Sequence, residues 1–389
     1  MNYEDRVAKR AKSIEISTIR YFFNMVKDVP GAISLTIGEP DFVTPRHIID
    51  AAYESLLEGK TGYTVNAGLI ELREEISKYL RKNYDVDYKP DGEILVTIGA
   101  TEAIYIALNT LVEDGDEVLI PEPSFVAYDP CTKLAGGKSV FVPTYEEDNF
   151  VLKAETLEKY ITDKSKVLVL PYPNNPTGAV LPYEEMVKLA DIVKKYDLLV
   201  ITDEIYSELV YDGFKHVSFA SLPNMWERTV LINGFSKSYA MTGWRLGYIA
   251  APEYFVKHMT KIHQYDVTSA STQSQYAGLE AMKNGENDIK FMREKYDERR
   301  KFLYGSLIDM GFECFEPKGA FYIFPSIKKT GLTSAEFAKR LLYEAKVAVV
   351  PGSAFGEHGE GHVRMAYATS LDNLKESVKR IEKFMQNFK

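Results

Sequence analysis

The feature that most constrains the fold of this chain is an alternation of short apolar runs with amphipathic segments, which begins near residue 91. Short continuous apolar runs are typical of strands buried on both faces, and the amphipathic segments between them are typical of covering helices. We therefore predict an α/β fold whose large domain is a mostly parallel sheet flanked by helices. The predicted strands are EILVTIG, DEVLIP, KVLVLPYP, LLVITDE, TVLING and LGYIAAP, and the predicted helices include TEAIYIALNTLV and PYEEMVKLADIVKKY.

The pattern changes after about residue 285, where a long charged helix, NDIKFMREKYDERRKFLYGSLIDMG, precedes shorter elements. These are the strand candidates GAFYIFP, VAVVPG and HVRMAYA and the helix candidate SAEFAKRLLYEA, a mixture typical of a smaller α+β domain. A chain of 389 residues is also too long for a single core. We predict a large domain over residues 46–284 and a small domain formed by residues 1–45 together with 285–389.

Composition excludes several classes of function. The net charge is −9, and no basic block provides a surface for nucleic acid. No apolar run approaches the roughly 20 residues that cross a membrane, and the start MNYEDRVAKR lacks the apolar core of a signal peptide. Cys131 and Cys314 are too few for a cysteine-based metal site, and we expect two buried thiols rather than a bonded pair. We therefore expect a cytoplasmic protein that binds no metal, nucleic acid or membrane.

Polar or glycine-rich groups follow four of the predicted strands. They lie at 99–101, 174–178, 203–206 and 236–237. Ligands of a parallel sheet bind beyond the carboxyl ends of its strands, so these four segments are expected to meet at one edge. The sequence therefore predicts a single binding site there.

The segment NGFSKSYAMTGWRLGY contributes an amine and a guanidinium to this edge. Lys237 lies among small and apolar residues, where partial desolvation would lower its pKa and make it a nucleophile toward an aldehyde. Arg245 could hold a phosphate with two parallel hydrogen bonds, and Ser236 and Ser238 offer hydroxyl donors beside it. An ordinary surface lysine and a structural salt bridge are the alternatives.

The segment TIGATEA predicts a strand, a tight turn and the start of a helix, whose unpaired amides at Ala100, Thr101 and Glu102 would attract an anion. A plain turn with Thr101 as the N-cap residue would give the same pattern.

In ITDEIY, Asp203 ends an apolar strand, and a buried carboxylate needs a cation or several hydrogen bonds. Tyr206 could reach the same ligand or be a core aromatic residue, and PYPNNPTGAV could be a surface turn. One ligand would use all of these groups: pyridoxal 5′-phosphate, a pyridine that carries an aldehyde, a phenolic oxygen and a phosphate.

The sequence resembles the fold-type I pyridoxal-phosphate-dependent aminotransferases of class I/II, which are similar to aspartate and aromatic aminotransferases. The resemblance implies an enzyme of amino-acid metabolism and biosynthesis that moves the amino group of an L-amino acid to 2-oxoglutarate by a ping-pong mechanism. It runs through nearly the whole chain, in the segments LTIGEPDF, YTVNAGLIELREEI, TIGATEAI, PYPNNPTG, DEIYSELVYDG, SKSYAMTGWRLGY, KGAFYIFP, VAVVPGSAFG and GHVRMAYA.

The resemblance also implies residue roles. Lys237, Asp203 and Tyr206 would be catalytic: the lysine bonds to the cofactor aldehyde, the aspartate faces the pyridine nitrogen, and the tyrosine donates to the phenolic oxygen. The implied phosphate-binding residues are Gly99, Ala100, Thr101, Ser236 and Arg245, and Tyr63 would contact the phosphate of the other subunit across a homodimer interface. Phe125 would stack on the cofactor ring, and Asn175 would donate to its phenolic oxygen. Arg364, with Asn175 and Gly38, would bind the substrate carboxylate. Arg364 could instead pair with an acidic neighbour in the small domain.

The identity of the substrate is less constrained. Aspartate-specific relatives carry tryptophan where this chain has Phe125, which weakens an assignment to aspartate. The segment KIHQYDVTSASTQSQYA lies where relatives vary the side-chain pocket, and it offers His263, Gln264, Tyr265 and Thr268 but no arginine. We therefore expect an aromatic or broad-range amino donor, with aspartate possible. An N-acetyl-diaminopimelate aminotransferase, a β-lyase or decarboxylase on the same fold, and a cofactor-sensing regulator domain are the alternatives.

Overall fold

The computed structural model describes residues 3–16 and 18–388. Four residues of the predicted small domain lie outside the described residues: Met1, Asn2, Ser17 and Lys389. The strands of the described chain are β1 (Ile33–Ser34), β2 (Ile94–Thr97), β3 (Glu117–Glu122), β4 (Lys138–Pro143), β5 (Ser165–Leu170), β6 (Leu199–Asp203), β7 (Thr229–Gly234), β8 (Gly247–Ala250), β9 (Tyr322–Ile323), β10 (Val347–Ala348), β11 (Val350–Pro351) and β12 (Val363–Ala366).

The α-helices alternate with the strands in the first two thirds of the chain and dominate its last third. They are α1 (Lys9–Lys12), α2 (Thr18–Lys27), α3 (Arg46–Leu57), α4 (Ile70–Tyr84), α5 (Pro90–Glu93), α6 (Gly99–Leu111), α7 (Tyr128–Leu134), α8 (Ala154–Glu158), α9 (Tyr183–Lys195), α10 (Glu253–Asp266), α11 (Thr272–Asn284), α12 (Glu286–Asp309), α13 (Ser334–Ala345) and α14 (Leu371–Met385).

A seven-stranded sheet lies at the centre of the molecule, in the order β2-β8-β7-β6-β5-β3-β4. Strands β4, β3, β5, β6 and β7 are parallel to one another, and β8 is antiparallel to both of its neighbours. The prediction of a mostly parallel sheet is therefore confirmed. The edge strand β4 was not predicted, because its sequence KSVFVP begins with polar residues and its first four residues are not fully buried.

Helices cover both faces of this sheet, as alternate side chains of β6 show. Val200 packs in a cluster with Leu189 of α9, whereas Ile201 packs in another cluster with Ile104 of α6. Successive strand residues point to opposite faces, so an apolar run such as LLVITDE must be covered on both sides. The parallel strands β3 to β7 have their carboxyl ends at a single edge of the sheet, as the sequence predicts.

A second group of strands and helices is formed mainly by the last third of the chain. Strands β11, β12 and β9 form an antiparallel sheet, and β1 from the N-terminal region pairs in parallel with β10. A separate apolar cluster unites Leu35, Tyr296, Phe337 and Ile381 from these elements. The N-terminal segment is thus built into the C-terminal group. Strand β1 has only two residues, too few to be predicted from periodicity.

The described residues contain no helix that is both long and apolar enough to cross a membrane. Cys131 and Cys314 are both free thiols; Cys131 is buried and Cys314 is half-buried. The expectation that they do not pair is therefore confirmed, whereas the expected burial holds for Cys131 only.

Candidate active site

A cavity of about 710 Å³ lies at the carboxyl edge of the central sheet. The residues to which the resemblance assigns cofactor or substrate roles all line it except Gly99 and Tyr63. The predicted residues that line it are Gly38, Ala100, Thr101, Phe125, Asn175, Asp203, Tyr206, Ser236, Lys237, Arg245 and Arg364. The cavity is also lined by Tyr128 and Tyr322, which sequence analysis did not identify.

Lys237 follows β7 and projects into this cavity. Its Nζ donates a 2.6 Å hydrogen bond to the backbone oxygen of Gly38, and no described carboxylate forms an ion pair with it. Burial lowers the pKa of the Lys237 amine to about 8, although the charge of Glu39 acts in the opposite direction. About a tenth of the amine is therefore neutral at pH 7, far more than for an exposed lysine, and the interpretation as an ordinary surface lysine is wrong.

Asp203 ends β6 with its carboxylate buried, 5% exposed. Tyr128 donates a 2.8 Å hydrogen bond to Oδ2, and the backbone amide of Ile205 donates one of 3.2 Å to Oδ1. Burial raises the pKa of Asp203 to about 6, although both hydrogen bonds lower it. No ion pair within the described chain neutralises this carboxylate, so the cavity offers it to a cationic or protonated ligand group.

Tyr206 and Tyr322 join their hydroxyl groups at 2.8 Å beside the cavity. Burial raises the pKa of Tyr206 well above its usual range, so its hydroxyl remains protonated. The ring of Tyr206 packs edge-on against Phe321, with centroids 5.4 Å apart. Tyr206 is therefore both a packed aromatic residue and a hydroxyl at the cavity surface.

The predicted anion-binding turn begins α6, and Arg245 lies directly against it. Gly99 has φ +77°, and a Cβ there would lie 2.8 Å from Nη2 of Arg245. Only glycine allows the guanidinium to approach this closely at that backbone angle. Arg245 donates a 3.1 Å hydrogen bond to the backbone oxygen of Thr242 and forms no ion pair with a described carboxylate.

Two details of this turn differ from the sequence-based expectations. The N-cap residue of α6 is Ile98, so Thr101 is not the N-cap. Ser236 lines the cavity, but Ser238 is buried and does not. Of the serines on either side of Lys237, only Ser236 therefore lines the cavity.

Arg364 in β12 is buried, yet it has no acidic partner among the described residues. Its Nη1 donates to Oδ1 of Asn175 at 2.9 Å and its Nη2 to the backbone oxygen of Thr36 at 2.6 Å, while Nε has no described partner. The guanidinium carbon lies 4.4 Å from the ring centroid of Tyr322, and burial lowers the pKa of Arg364. The alternative of a structural ion pair is therefore wrong, and the guanidinium can bind a carboxylate in the cavity.

Tyr63 does not reach the cavity of its own chain, and its side chain is 85% exposed. The loop that carries it is nevertheless fixed. Thr272 donates a 2.7 Å hydrogen bond to the backbone oxygen of Gly62, and Gln275 donates one of 3.0 Å to the hydroxyl of Thr64. Tyr63 therefore lies at the tip of an anchored loop, free to contact another molecule.

The residues assigned from the sequence to the side-chain pocket do not line the cavity of their own chain. Helix α10 extends through Asp266 and sets their directions. His263 is completely buried against Glu102 of α6, and Tyr265 is 88% exposed on the outer surface. Gln264 and Thr268 lie on the same segment, also outside the cavity.

Comparison with known proteins identifies the family. The model of the aminotransferase class I and II family matches residues 30–381. An aspartate aminotransferase of Pyrococcus abyssi is 48% identical over 98% of this chain and 99% of the relative. A probable N-acetyl-LL-diaminopimelate aminotransferase of Bacillus subtilis is 46% identical over 97% of this chain and 95% of the relative. The crystal structure of an aromatic aminotransferase from Pyrococcus horikoshii matches with a TM-score of 0.90 at 48% identity, over 95% of this chain and 99% of that chain. Since these matches extend over nearly the full length of the chain, it belongs to the aminotransferase class I and II family and is an aminotransferase.

Proposed function

We propose that this aminotransferase uses pyridoxal 5′-phosphate to move the amino group of an L-amino acid to 2-oxoglutarate by a ping-pong mechanism. One observation carries the proposal. The amine of Lys237, the guanidinium groups of Arg245 and Arg364 and the buried carboxylate of Asp203 line one cavity, and none of them forms an ion pair within the described chain. Charged groups left unpaired around one cavity are suited to a ligand of complementary charge.

The residues of the cavity fit the groups of this cofactor. Lys237 would bond to the aldehyde, and Asp203 would accept a hydrogen bond from the protonated pyridine nitrogen. The close approach of Arg245 to Gly99 supports a phosphate position there. The remaining proposed contacts are donation to the phenolic oxygen by Tyr206 and Asn175, phosphate binding by Ser236 and the amides of Gly99, Ala100 and Thr101, and ring stacking by Phe125.

Once the amino group of the substrate had replaced it at the aldehyde, the freed amine of Lys237 would also move the Cα proton of the substrate. When bound, the cofactor supplies a pyridine ring that withdraws electrons from the Cα of the amino acid. A pKa of about 8 lets the Lys237 amine accept a proton near neutral pH and return it, which suits both halves of an amino transfer. Asp203 would hold the proton of the pyridine nitrogen and so maintain the electron withdrawal.

Arg364 would bind the α-carboxylate of every substrate. Its hydrogen bond to Asn175 orients the guanidinium, and burial strengthens the attraction to a carboxylate. The backbone of Gly38, which accepts the hydrogen bond from Lys237, would lie on the same side of the substrate. The amino acid would thus be held with its Cα near the amine that takes its proton.

The cavity favours an aromatic or broad-range amino donor. Ile37, Ile104, Val126 and Tyr322 add apolar lining to it. The relatives named above act, by their names, on aspartate, aromatic amino acids or N-acetyl-diaminopimelate at nearly equal identity, so identity does not select among these donors. Aspartate and acylated diaminopimelate remain alternatives to be tested.

We further propose the assembly in which the enzyme works. A large domain over residues 46–284 would carry the cofactor, and residues 1–45 with 285–389 would form the small domain. The exposed Tyr63 would reach the phosphate site of a second copy, which gives a homodimer with shared active sites in the cytoplasm.

A donor panel tests the proposed function. The purified protein with pyridoxal 5′-phosphate and 2-oxoglutarate should form glutamate from phenylalanine, tyrosine or tryptophan, and Lys237→Ala should abolish this reaction. Glutamate formation only with aspartate, or only with N-acetyl-diaminopimelate, would show that this compound is the amino donor instead of an aromatic amino acid. Release of ammonia and pyruvate from suitable amino acids without glutamate would identify a β-lyase instead.

A further inference from the structure

A buried pair of side chains outside the cavity, Glu102 and His263, contacts the first turn of α6. Nδ1 of His263 on α10 lies 2.8 Å from Oε1 of Glu102 on α6. The side chain of His263 is completely buried and that of Glu102 is 8% exposed. Because a carboxylate oxygen only accepts, the imidazole donates from Nδ1, and its Nε2 has no partner among the described residues.

Glu102 fixes the backbone at which α6 begins. Its Oε2 accepts a hydrogen bond from the backbone amide of Ile98, the N-cap residue. This contact resembles the half of a capping box in which a glutamate of the first turn reaches back to the N-cap amide. The same carboxylate therefore connects the N-cap of α6 to α10 through His263.

The other contact of a capping box, from the N-cap side chain to an amide of the first turn, is missing in α6. Amides of this turn therefore stay available to a ligand. A serine, threonine or aspartate at the N-cap would accept hydrogen bonds from the second or third helical amide, here Ala100 or Thr101. Ile98 has no such acceptor, and α6 has no side-chain cap. Both Ala100 and Thr101 line the cavity. An anion in the cavity would therefore take the place of the missing cap.

We propose that Glu102 and His263 are positioning residues for the turn at 99–101, and that they set the affinity of the site for the phosphate group of the cofactor. This inference rests on the proposed function. Glu102 holds the turn through the amide of its N-cap residue, Ile98, and Arg245 lies against Gly99 in the same turn. Without the pair, the turn would lose an anchor and its amides would no longer be held in the direction of the phosphate.

The test compares two ligands that differ only in the phosphate. The full-length chain is stripped of cofactor, and the dissociation constants of pyridoxal 5′-phosphate and of pyridoxal are measured by absorbance. For Glu102→Ala we expect the constant of the phosphorylated ligand to rise about tenfold, the loss expected for one hydrogen bond to a charged group. The constant for pyridoxal should stay within about twofold, because pyridoxal does not use the turn.

Conservative variants separate positioning from charge. Glu102→Gln keeps an acceptor for the amide of Ile98 and should retain near-normal affinity, although it removes the negative charge. His263→Leu should weaken phosphate-dependent binding, and His263→Asn, which keeps a donor near the position of Nδ1, should restore part of it. These two variants also test the inference if Glu102→Ala does not fold.

A matched control is the pair of His362 and Glu146, whose Nε2 and Oε2 lie 3.1 Å apart and which does not line the cavity. Glu146→Gln should change thermal stability without changing the ratio of the two dissociation constants. The inference is overturned if Glu102→Ala weakens both ligands equally or neither, or if Glu102→Gln and Glu102→Ala behave alike. If the unaltered chain binds no pyridoxal 5′-phosphate, the proposed function fails as well. If the unaltered chain binds it and the variants at Glu102 and His263 bind it equally well, only this inference is overturned.

Discussion

Nη1 of Arg364 donates a 2.9 Å hydrogen bond to Oδ1 of Asn175, which connects strand β12 of the smaller sheet to the loop after β5 of the central sheet. The two residues have proposed roles toward the substrate carboxylate and the phenolic oxygen of the cofactor. Their contact therefore joins the binding of the substrate to that of the cofactor. Because the guanidinium has no described acidic partner, a substrate carboxylate can complete its hydrogen bonds.

Replacing Arg364 with lysine should reduce catalysis with all substrates. Lysine keeps the charge but loses the planar fork that orients a carboxylate, so we expect Arg364→Lys to lower kcat/KM about 100-fold. The loss should be similar for each amino donor and for 2-oxoglutarate, because all share the α-carboxylate. Arg340→Lys, at an exposed ion pair with Glu344, is the matched control. A lower melting temperature with unchanged kinetics would assign Arg364 a structural role.

Asp203→Asn should leave the protein folded and able to bind the cofactor but slow the removal of the Cα proton by several orders of magnitude. A neutral amide cannot hold the pyridine nitrogen protonated. Tyr128→Phe should have a smaller effect, since it removes only the 2.8 Å hydrogen bond to Oδ2 and thereby raises the pKa of Asp203 further. Single-turnover mixing with an amino acid measures this step, and a near-normal rate in Asp203→Asn would exclude the proposed role.

Complementation between subunits tests the role of Tyr63. Tyr63→Ala and Lys237→Ala should each be nearly inactive, and a hybrid dimer should contain one site with neither substitution. Mixing the two variants, followed by exchange of subunits, should therefore restore part of the activity. Mass spectrometry of the intact dimer shows whether hybrids form. If they form but remain inactive, Tyr63 does not contribute to a shared site.

His47 should make stability depend on pH. Its Nδ1 lies 2.7 Å from Glu280 and its Nε2 lies 3.0 Å from Asp288. Partial burial lowers the pKa of His47, but both carboxylates raise it, and the net shift is upward. A histidine with a raised pKa in the folded state contributes stability that is fully present below about pH 6.5 and is lost as the pH rises through the folded-state pKa.

We therefore expect His47→Asn to lower the free energy of unfolding at pH 5.5, by up to about 1 kcal/mol because the pair is partly exposed. At pH 9 the difference from the unaltered chain should be smaller. Denaturant titrations at the two pH values measure it, with the exposed His258→Asn as the control. A loss of equal size at both pH values would show that the charge of His47 is not involved.

The elements that sequence predicts well are those whose pattern is local. TVLING coincides with β7, and SAEFAKRLLYEA coincides with α13, which begins with a capping box between Thr333 and Glu336. The gathering of four strand ends into one cavity follows from parallel topology, so Lys237 and Asp203 could be placed together without a structure.

The contacts that sequence does not predict join residues far apart in the chain. Tyr128 lies 75 residues from its partner Asp203, and Tyr322 lies 116 residues from Tyr206. His263 was assigned to the substrate pocket because of its segment, but its position within α10 turns it toward Glu102 instead. Side-chain direction on a helix depends on the packing of that helix, which periodicity in one short segment does not determine.

Reduction of the holoenzyme with borohydride identifies the residue that bonds to the aldehyde of the cofactor. The purified holoenzyme should be yellow, lose this colour on reduction, and yield a single pyridoxyl-labelled peptide that contains Lys237 when it is digested and analysed by mass spectrometry. Lys237 is the expected target because its amine, with a pKa lowered to about 8, lies in the cavity with Asp203 and Arg245. A label on any other lysine, or no label on a protein that transfers amino groups, would exclude Lys237 as the residue that bonds to the cofactor.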